Sequence, residues 1–324
     1  MKKNADNNKK PSILIALGGN ALNVIETPST SLKEEFNVAY KSVSNIVDLI
    51  SEGYSKIILT HGNGPQVGRI FLQQELTKNE FPRQTTLDMC VADTQGRIGY
   101  TVQNVLANIC KERKIDKNAY TIVTQVLVDA KDGAFTNPTK PVGSFYTEEE
   151  SKKLIAERGW VIKQEGKKGF RRVVPSPVPI DIIEKDIFKT FIDNNIIAIG
   201  GGGGGIPVIR NDQGKLEGVD AVIDKDRTSA LLANEIGIDV FVILTEADHV
   251  CLKFHTPEEK ALKNITITEL EKYYNAGEFP AGSMGPKVEA VISFLRNGGK
   301  RAIIANLFHL KEALAGTTGT QISA

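Results

Sequence analysis

The stretch PSILIALGG, at residues 11–19, decides the fold of this chain. It is a short apolar run that ends in glycines, which is the pattern of a strand buried on both faces of a parallel sheet. Strand-like runs recur as KIILT (56–60), YTIVTQVLV (120–128), NIIAIG (195–200), DVFVILT (239–245) and RAIIANL (301–307). Helical patterns lie between most of these runs, so the sequence predicts an α/β fold with a largely parallel sheet.

Two of the predicted helices are clearly marked. Residues 31–52 carry apolar side chains at spacings of three and four, and Ser31 with Glu34 forms the sequence pattern of a capping box. A second helix is predicted from Pro65 to about Leu76.

Two regions stand outside the alternation of strands and helices. The stretch from about 129 to 172 is rich in Pro, Gly and Lys, and we interpret it as an inserted subdomain. Residues 1–10 are polar and predict a disordered extension before the fold.

The composition excludes several classes of function. Of 324 residues, 41% are hydrophobic, and 40 Lys plus Arg against 39 Asp plus Glu leave a formal net charge of +1. Such a balance gives no general footprint for nucleic acid or an anionic membrane. The chain has no apolar run of the length of a membrane span and no apolar stretch of a secretory signal. Cys90, Cys110 and Cys251 form no C-x-x-C pair, which favours reduced thiols in a cytoplasmic protein, and the histidines show no metal-ligand spacing.

Glycine-rich segments follow three of the predicted strands. They are Gly18-Gly19-Asn20, His61-Gly62-Asn63-Gly64 and the run from Gly200 to Gly205. Glycine lets successive backbone N–H groups converge into a cradle for anions, and ligands of parallel sheets bind beyond the carboxyl ends of the strands. Each loop alone is more often a tight connection, and a glycine run also fits a flexible linker. Three loops together favour a site for phosphate or carboxylate.

Two other nucleotide-binding patterns are not supported. The glycine run satisfies G-x-G-x-x-G only trivially, because the β-like residues IPVI (206–209) follow it where a dinucleotide site needs a helix. The pattern G-x-x-x-x-G-K-[ST] of P-loop ATPases does not occur in the sequence.

Charged residues lie at two predicted helix starts. Lys225 and Asp226 stand between AVID, which is strand-like, and a helical segment that Gly237 ends. Lys287 lies in the first turn of a helix in which Pro286 suits the first position. A lysine there opposes the helix dipole, which makes sense if it serves an anion. A solvated surface charge is the alternative interpretation of each lysine.

These residues belong to a set of motifs by which the sequence closely resembles the carbamate kinases of the amino acid kinase superfamily. The matching segments cover the chain after residue 11 in order: ALGGNAL (16–22), HGNGPQVG (61–68), TQGRIGY (94–100), NPTKPVG (137–143), VVPSPVPIDI (173–182), GGGGIPV (202–208), GVDAVIDKD (218–226), GSMGPK (282–287) and GTTGTQI (316–322).

The resemblance implies a three-layer α/β/α sandwich with a mostly parallel eight-stranded sheet, a small protruding subdomain and a homodimer. It implies an N-terminal lobe (about 11–215) that binds carbamate and contains the subdomain, and a C-terminal lobe (about 216–324) that binds ATP or ADP with Mg²⁺ held mainly by the nucleotide phosphates. Lys140, Lys225 and Lys287 match catalytic lysines, and Asp226 matches the aspartate that orients them. The expected substrate and phosphate loops contain Gly18, Gly19, Asn20, Gly62, Asn63, Gly64, Gly202, Gly203 and Gly204, and the expected nucleotide site contains Thr245, Asp248, Val250, Met284 and Gly285.

The sequence departs from the family pattern on the expected adenine side. Phe254, His255 and Thr256 stand where the family often has an Asn-Tyr-Gly-Lys-like run, and the preceding LTEADHV also differs from the commoner form.

Three other functions remain as alternatives at this point. An acetylglutamate or uridylate kinase would share the glycine loops, although NPTKPVG and GSMGPK oppose both. The presence of Lys140, Lys225 and Lys287 opposes a catalytically silent ligand-binding regulator. An oxidoreductase is opposed because no helix is predicted directly after the glycine run. Carbamate is already an anion at neutral pH, so the expected reaction needs no general base.

Overall fold

The computed structural model describes residues 10–18, 22, 32–77, 79–81, 85–166, 169–280 and 282–324. In chain order, the strands of this part are β1 (Ile13–Leu17), β2 (Ile57–His61), β3 (Ala119–Thr121), β4 (Gln125–Val128), β5 (Lys140–Tyr146), β6 (Ile162–Gln164), β7 (Phe170–Val174), β8 (Pro179–Ile182), β9 (Ile197–Ile199), β10 (Ile206–Arg210), β11 (Leu216–Gly218), β12 (Val240–Thr245), β13 (Val250–Leu252), β14 (Lys260–Leu262), β15 (Asn264–Thr266), β16 (Arg301–Asn306) and β17 (Thr320–Ser323).

The helices alternate with these strands. They are α1 (Leu32–Ser51), α2 (Gly64–Leu76), α3 (Leu87–Glu112), α4 (Glu148–Arg158), α5 (Lys185–Asp193), α6 (Lys225–Glu235), α7 (Ile267–Asn275), α8 (Met284–Arg296) and α9 (Leu310–Leu314). Short 3-10 turns cover Gly133–Phe135, Gly202–Gly204 and Leu307–His309. In the described part of the chain, no helix is both long enough and apolar enough to cross a membrane.

The central sheet has eight strands in the order β15-β17-β16-β12-β1-β2-β9-β3. Neighbouring strands pair in parallel except β16 and β17, so β17 and β15 run against the other six. The predicted mostly parallel sheet is confirmed.

Side chains of the central sheet alternate between two hydrophobic cores. In β1, Ile13, Ile15 and Leu17 face a core shared with α1, α3 and α9. Leu14 and Ala16 face a second core, shared with α5, α6, α7 and α8. Helices therefore cover both faces of the sheet, which confirms the three-layer α/β/α sandwich.

Smaller sheets lie outside the central one. A four-stranded sheet has the order β11-β10-β4-β8, a three-stranded sheet has the order β5-β7-β6, and β13 pairs with β14 in a hairpin. The three-stranded sheet and α4 occupy most of the predicted insertion, and β7 extends two residues beyond its predicted end at 172.

The prediction of a single strand over 120–128 is wrong. The chain forms β3 at the edge of the central sheet and then β4 in the four-stranded sheet. The break lies at Thr124, whose N–H donates to Gln95 Oε1 of α3 (2.8 Å) and whose carbonyl accepts from Gln95 Nε2 (3.1 Å). A side chain from another helix thus satisfies the Thr124 N–H that a continuous strand would use for pairing, while the Thr124 carbonyl also accepts from the N–H of Ile206 in β10 (2.9 Å).

Three smaller predictions differ from the structure or fall outside the described residues. Residues 221–224 form no strand, and α6 begins directly after them. Helix α8 begins at Met284, so Pro286 is its third residue, where a missing N–H is equally harmless because the first four helical N–H groups have no partner within the helix. Ser31 of the predicted capping box, and residues 1–9 of the predicted extension, lie outside the described residues.

Candidate active site

Four adjacent strands of the central sheet have their carboxyl ends on the same side of the molecule. Strands β12, β1, β2 and β9 are neighbours and parallel, so the segments after their carboxyl ends meet there. These segments begin at Gly18, Gly62, Gly200 and Glu246. The Gly62 N–H donates to the carbonyl of Leu17 (3.3 Å), which joins two of the loops directly.

The glycine run from Gly200 to Gly205 is buried where these segments meet, so it is not a flexible linker. A Cβ at Gly203 would lie 2.1 Å from Asn63 Nδ2, and a Cβ at Gly204 would lie 2.2 Å from the carbonyl oxygen of Ile223. The φ angles of Gly203 (+65°) and Gly204 (+90°) are in the left-handed region that favours glycine. The run therefore packs against both the loop after β2 and the segment that leads into α6.

The loop after β2 is held by buried polar contacts. Asn63 is 3% exposed, and its Nδ2 donates to Thr94 Oγ1 of α3 (2.9 Å). Burial lowers the pKa of His61 to about 4, so this imidazole is neutral at neutral pH. Helix α2 starts at Gly64 without a side-chain cap, and its second residue, Pro65, has no N–H.

Asp226 lies between two lysines. It is 2% exposed, and its carboxylate accepts hydrogen bonds from Lys225 Nζ and from Lys287 Nζ (3.1 Å). Lys225 and Asp226 are the first two residues of α6, and Lys287 is the fourth residue of α8. Two helix starts that are 61 residues apart in the sequence are thereby joined by one carboxylate.

Asp224 is a site residue that the sequence analysis missed. Its Oδ2 accepts from Lys140 Nζ at 2.6 Å, and its Oδ1 accepts from the N–H groups of Asp226 (2.9 Å) and Arg227 (3.3 Å). The α6 N-terminus is thus capped by Asp224, whose carboxylate occupies the N–H groups of Asp226 and Arg227. The signal was in the sequence, since an aspartate directly before a helix is a favoured N-cap.

The buried charges shift one another's pKa. Burial would raise the pKa of Asp224, but Lys140 and, to a lesser extent, Lys225 hold it well below its usual range. Burial lowers the pKa of Lys225, and Asp226 offsets only part of that effect. Burial also opposes the charge on Lys287, but Asp226 outweighs it and raises this pKa. The net balance of burial and charge therefore favours the ammonium form of Lys287 and disfavours that of Lys225.

Other predicted residues lie at or after the carboxyl ends of β1 and β12. A Cβ at Gly18 would lie 2.9 Å from the carbonyl oxygen of Leu244, next to Thr245. Asp248 Oδ1 accepts from Asn306 Nδ2 (2.9 Å). Gly19 and Asn20 lie outside the described residues.

The other expected nucleotide residues differ in what they can offer a ligand. Met284 and Gly285 form the first turn of α8, ahead of Lys287, and Gly285 donates its N–H to the carbonyl of Pro280 (2.9 Å). The side chain of Val250 is fully buried, and its N–H donates to Thr320 Oγ1 (2.8 Å).

Three lysines and two aspartates beyond the carboxyl ends of the strands leave a net positive charge, next to the glycine loops. This arrangement suits a reaction in which a polyanion is bound and its charge is neutralised. With the α/β/α fold, it defines a phosphotransferase of the amino acid kinase class, and residues 11–306 match the Amino acid kinase family.

Individual relatives narrow this class. The chain is 47% identical to the carbamate kinase of Pyrococcus horikoshii over 96% of its length and 98% of the relative's, and 44% identical to that of Clostridium perfringens over 96% and 99%. A structure of carbamate kinase from Giardia lamblia bound to AMP-PNP superposes with a TM-score of 0.88 at 42% identity, covering 97% of this chain and 98% of that one. The chain belongs to the carbamate kinase family, and it is a kinase.

Proposed function

We propose that the protein transfers a phosphoryl group reversibly between ATP and carbamate, with ADP and carbamoyl phosphate as the other pair. The observation that carries the proposal is the gathering of Lys140, Lys225 and Lys287 on the two carboxylates of Asp224 and Asp226. The family membership supports the choice of carbamate, and the AMP-PNP bound by the Giardia relative supports the choice of nucleotide.

Charge is the main barrier to this reaction, because an anionic acceptor must approach a triphosphate. Lys225 and Lys287 are proposed to hold the transferred phosphoryl group, and Lys140 to reach the carbamate side. Asp226 orients the first two lysines, and Asp224 orients the third. The loops that contain Gly18, Gly19, Asn20, Gly62, Asn63, Gly64, Gly202, Gly203 and Gly204 are proposed to surround the phosphate and acceptor oxygens. The N–H groups of Gly62 and Gly204 donate to Leu17 and Gly201, so the proposed contacts come from other backbone N–H groups of these loops.

The proposed acceptor needs no deprotonation. Carbamate carries its negative charge at neutral pH, so its oxygen attacks without a general base. His61 fits this scheme, because a neutral, buried imidazole fixed beside Gly62 adds no charge to the site.

Mg²⁺ is proposed to accompany the nucleotide. Among the described residues, no group of three or more His, Cys, Asp or Glu side chains is placed to hold a metal ion, and Asp224 and Asp226 are already engaged by lysines. This donor set fits an ion whose main ligands are substrate phosphates, which is a common mode for Mg²⁺. When bound, the ion would supply neutralisation of the phosphate charge.

The two substrates are proposed to use different lobes, carbamate the segment of about 11–215 and the nucleotide that of about 216–324. Thr245, Asp248, Val250, Met284 and Gly285 are the proposed nucleotide contacts. Phe254 and His255 are the departures from the family pattern on the proposed adenine side, and their exposed rings stack on each other with centroids 3.8 Å apart. Their influence on base preference is part of the proposal.

Carbamoyl phosphate is a mixed anhydride, so the favoured direction of the reaction is formation of ATP from ADP. We propose that the protein works in this direction, in the cytoplasm, at the end of arginine or purine fermentation.

We also propose a homodimer. Strand β3 lies at the edge of the central sheet, and Tyr120 in this strand is 47% exposed. Nearby in the sequence, Val123 is 54% exposed, and Tyr100 of α3 is 59% exposed. Edge strands and exposed aromatic side chains commonly lie in interfaces between subunits. Light scattering after size-exclusion chromatography would test this state, and a monomer at micromolar concentration would refute it.

The activity itself is tested by ATP formation from purified protein, ADP, Mg²⁺ and a panel of phosphoryl donors. We expect rapid ATP formation with carbamoyl phosphate and little with acetyl phosphate or N-acetylglutamyl phosphate. Preference for another donor would assign a different kinase of this superfamily. Failure with every donor would favour a ligand-binding regulator on this scaffold.

A further inference from the structure

Helix α2 and strand β5 touch through their backbones. A Cβ added to Gly68 would lie 2.4 Å from both the Cα and the N of Gly143, whereas ordinary contacts of a Cβ start at about 3.4 Å. The contact is not relieved by a rotamer change, because Gly143 offers only backbone atoms. Position 68 therefore needs to be glycine for α2 and β5 to lie this close, whereas Gly143 is favoured by its left-handed backbone, with φ at +73°.

Gly143 stands three residues after Lys140 in the same strand. Lys140, Pro141 and Val142 pair in regular antiparallel register with Val174, Val173 and Arg172 of β7, and the register shifts after Val142. Val142 is 5% exposed and lies in a hydrophobic cluster with Val67 of α2. The strand is thus rigidly paired and packed between the Gly68 contact and the lysine.

A second contact joins α2 to β7, the partner of β5 in the three-stranded sheet. The guanidinium of Arg172 lies 4.2 Å from the ring centroid of Phe71 in α2 and 4.5 Å from that of Trp160, next to the three-stranded sheet. Guanidinium groups stack favourably on aromatic faces. The three-stranded sheet is therefore held to α2 both at the backbone contact and at this stacked arginine.

Helix α2 begins at Gly64, the last residue of the loop after β2, whose residues we propose as phosphate ligands. A fixed separation of α2 and β5 therefore fixes the separation of this loop from Lys140. The side chain of Lys140 extends from β5 to Asp224, where its Nζ lies 2.6 Å from Oδ2.

We propose that Gly68 and Gly143 are positioning residues, whose close backbone contact sets the reach of Lys140 into the active site. This inference rests on the proposed role of Lys140 in carbamoyl phosphate binding. A side chain at position 68 would push β5 away by about 1 Å, and a misplacement of that size can cost about a hundredfold in rate.

The test variant is Gly68→Ala. Alanine is a better helix former than glycine, so any loss is not due to a weaker helix. Gly96→Ala is the matched control, because Gly96 is also helical and its added Cβ meets no atom within 4 Å. We expect Gly68→Ala to lower kcat/KM for carbamoyl phosphate by about 10- to 100-fold with KM for ADP unchanged, and Gly96→Ala to match wild type.

A double-mutant cycle separates positioning from a general structural effect. If Gly68 acts through Lys140, then Gly68→Ala adds little further loss in a Lys140→Ala background. Losses that multiply in the double variant, or wild-type kinetics for Gly68→Ala, would overturn the inference.

A readout that is independent of activity completes the test. Amine-reactive labelling followed by mass spectrometry measures how fast Lys140 is modified, with exposed Lys300 as the internal reference. Gly68→Ala should accelerate labelling of Lys140, because a displaced strand loosens the ion pair with Asp224, and Gly96→Ala should not. Unchanged labelling of Lys140 would reject the positioning role, whatever the activity of the wild-type protein. Absence of ATP formation from carbamoyl phosphate by the wild-type protein would reject only the proposed function.

Discussion

Replacement of Asp226 by asparagine should disturb the arrangement of Lys225 and Lys287 without unfolding the chain. The substitution preserves the shape of the side chain but leaves Lys225 and Lys287, which are 11% and 18% exposed, without their shared counter-charge. Removal of one partner from a buried ion pair costs about 3–5 kcal/mol. We expect about 3 kcal/mol, the lower end, because asparagine retains an acceptor oxygen and both ammonium groups keep some contact with water.

A loss of that size is smaller than the about 5–15 kcal/mol by which native proteins are stable, so Asp226→Asn should remain folded at 25 °C. Its kcat for ATP formation should nevertheless fall by about 100-fold, because the two lysines would no longer be held in one geometry. The assay pairs initial rates at saturating ADP and carbamoyl phosphate with denaturant unfolding.

Asp48→Asn is the matched control for Asp226→Asn, since Asp48 pairs with Arg113 on the surface of α1 and its side chain is 45% exposed. We expect little change in either measurement, because exposed ion pairs contribute little to stability. A folded Asp226→Asn variant with kcat within about threefold of wild type would refute the orienting role, as the expected effect is far larger.

Two further predictions concern the other half of the cluster. Lys140→Ala should raise KM for carbamoyl phosphate more than KM for ADP, because we propose that its Nζ contacts the acceptor side of the site. Equal changes in both KM values, from steady-state kinetics, would contradict this. Asp224→Asn should flatten the acid dependence of unfolding free energy below about pH 4. Burial opposes a low pKa of Asp224, but Lys140 holds the pKa in the folded state below the value in the unfolded state. The wild-type carboxylate therefore stabilises the protein above the unfolded-state pKa, and this stability is lost as the pH falls through the folded-state pKa. Urea unfolding across this pH range measures the difference, and equal slopes in both proteins would disprove the depressed pKa.

The largely parallel character of the sheet could be predicted because its middle strands, such as β1 and β12, are apolar on both faces. Ile13 to Leu17 are all buried, so their pattern carries the parallel, covered sheet directly. The split of 120–128 could not be predicted, since it depends on Gln95, which reaches Thr124 from another helix. Local pattern gives no sign of such a contact.

Part of the candidate site could also be predicted from the sequence. Lys225, Asp226 and Lys287 stand at helix starts that the sequence marks, and the structure brings them together. Asp224 was missed because the preceding apolar residues made it look like the end of a strand. The contact of Gly68 with Gly143 joins positions 75 residues apart and exists only in the folded chain.

The most direct measurement is the turnover of ATP formation from ADP and carbamoyl phosphate by Lys225→Ala and Lys287→Ala, each compared with wild type. Loss of a single group that stabilises transition-state charge typically costs about 100-fold or more. We predict that both folded variants lose at least that much. Near-normal turnover in both would contradict the claim that these ammonium groups carry the transferred phosphoryl group.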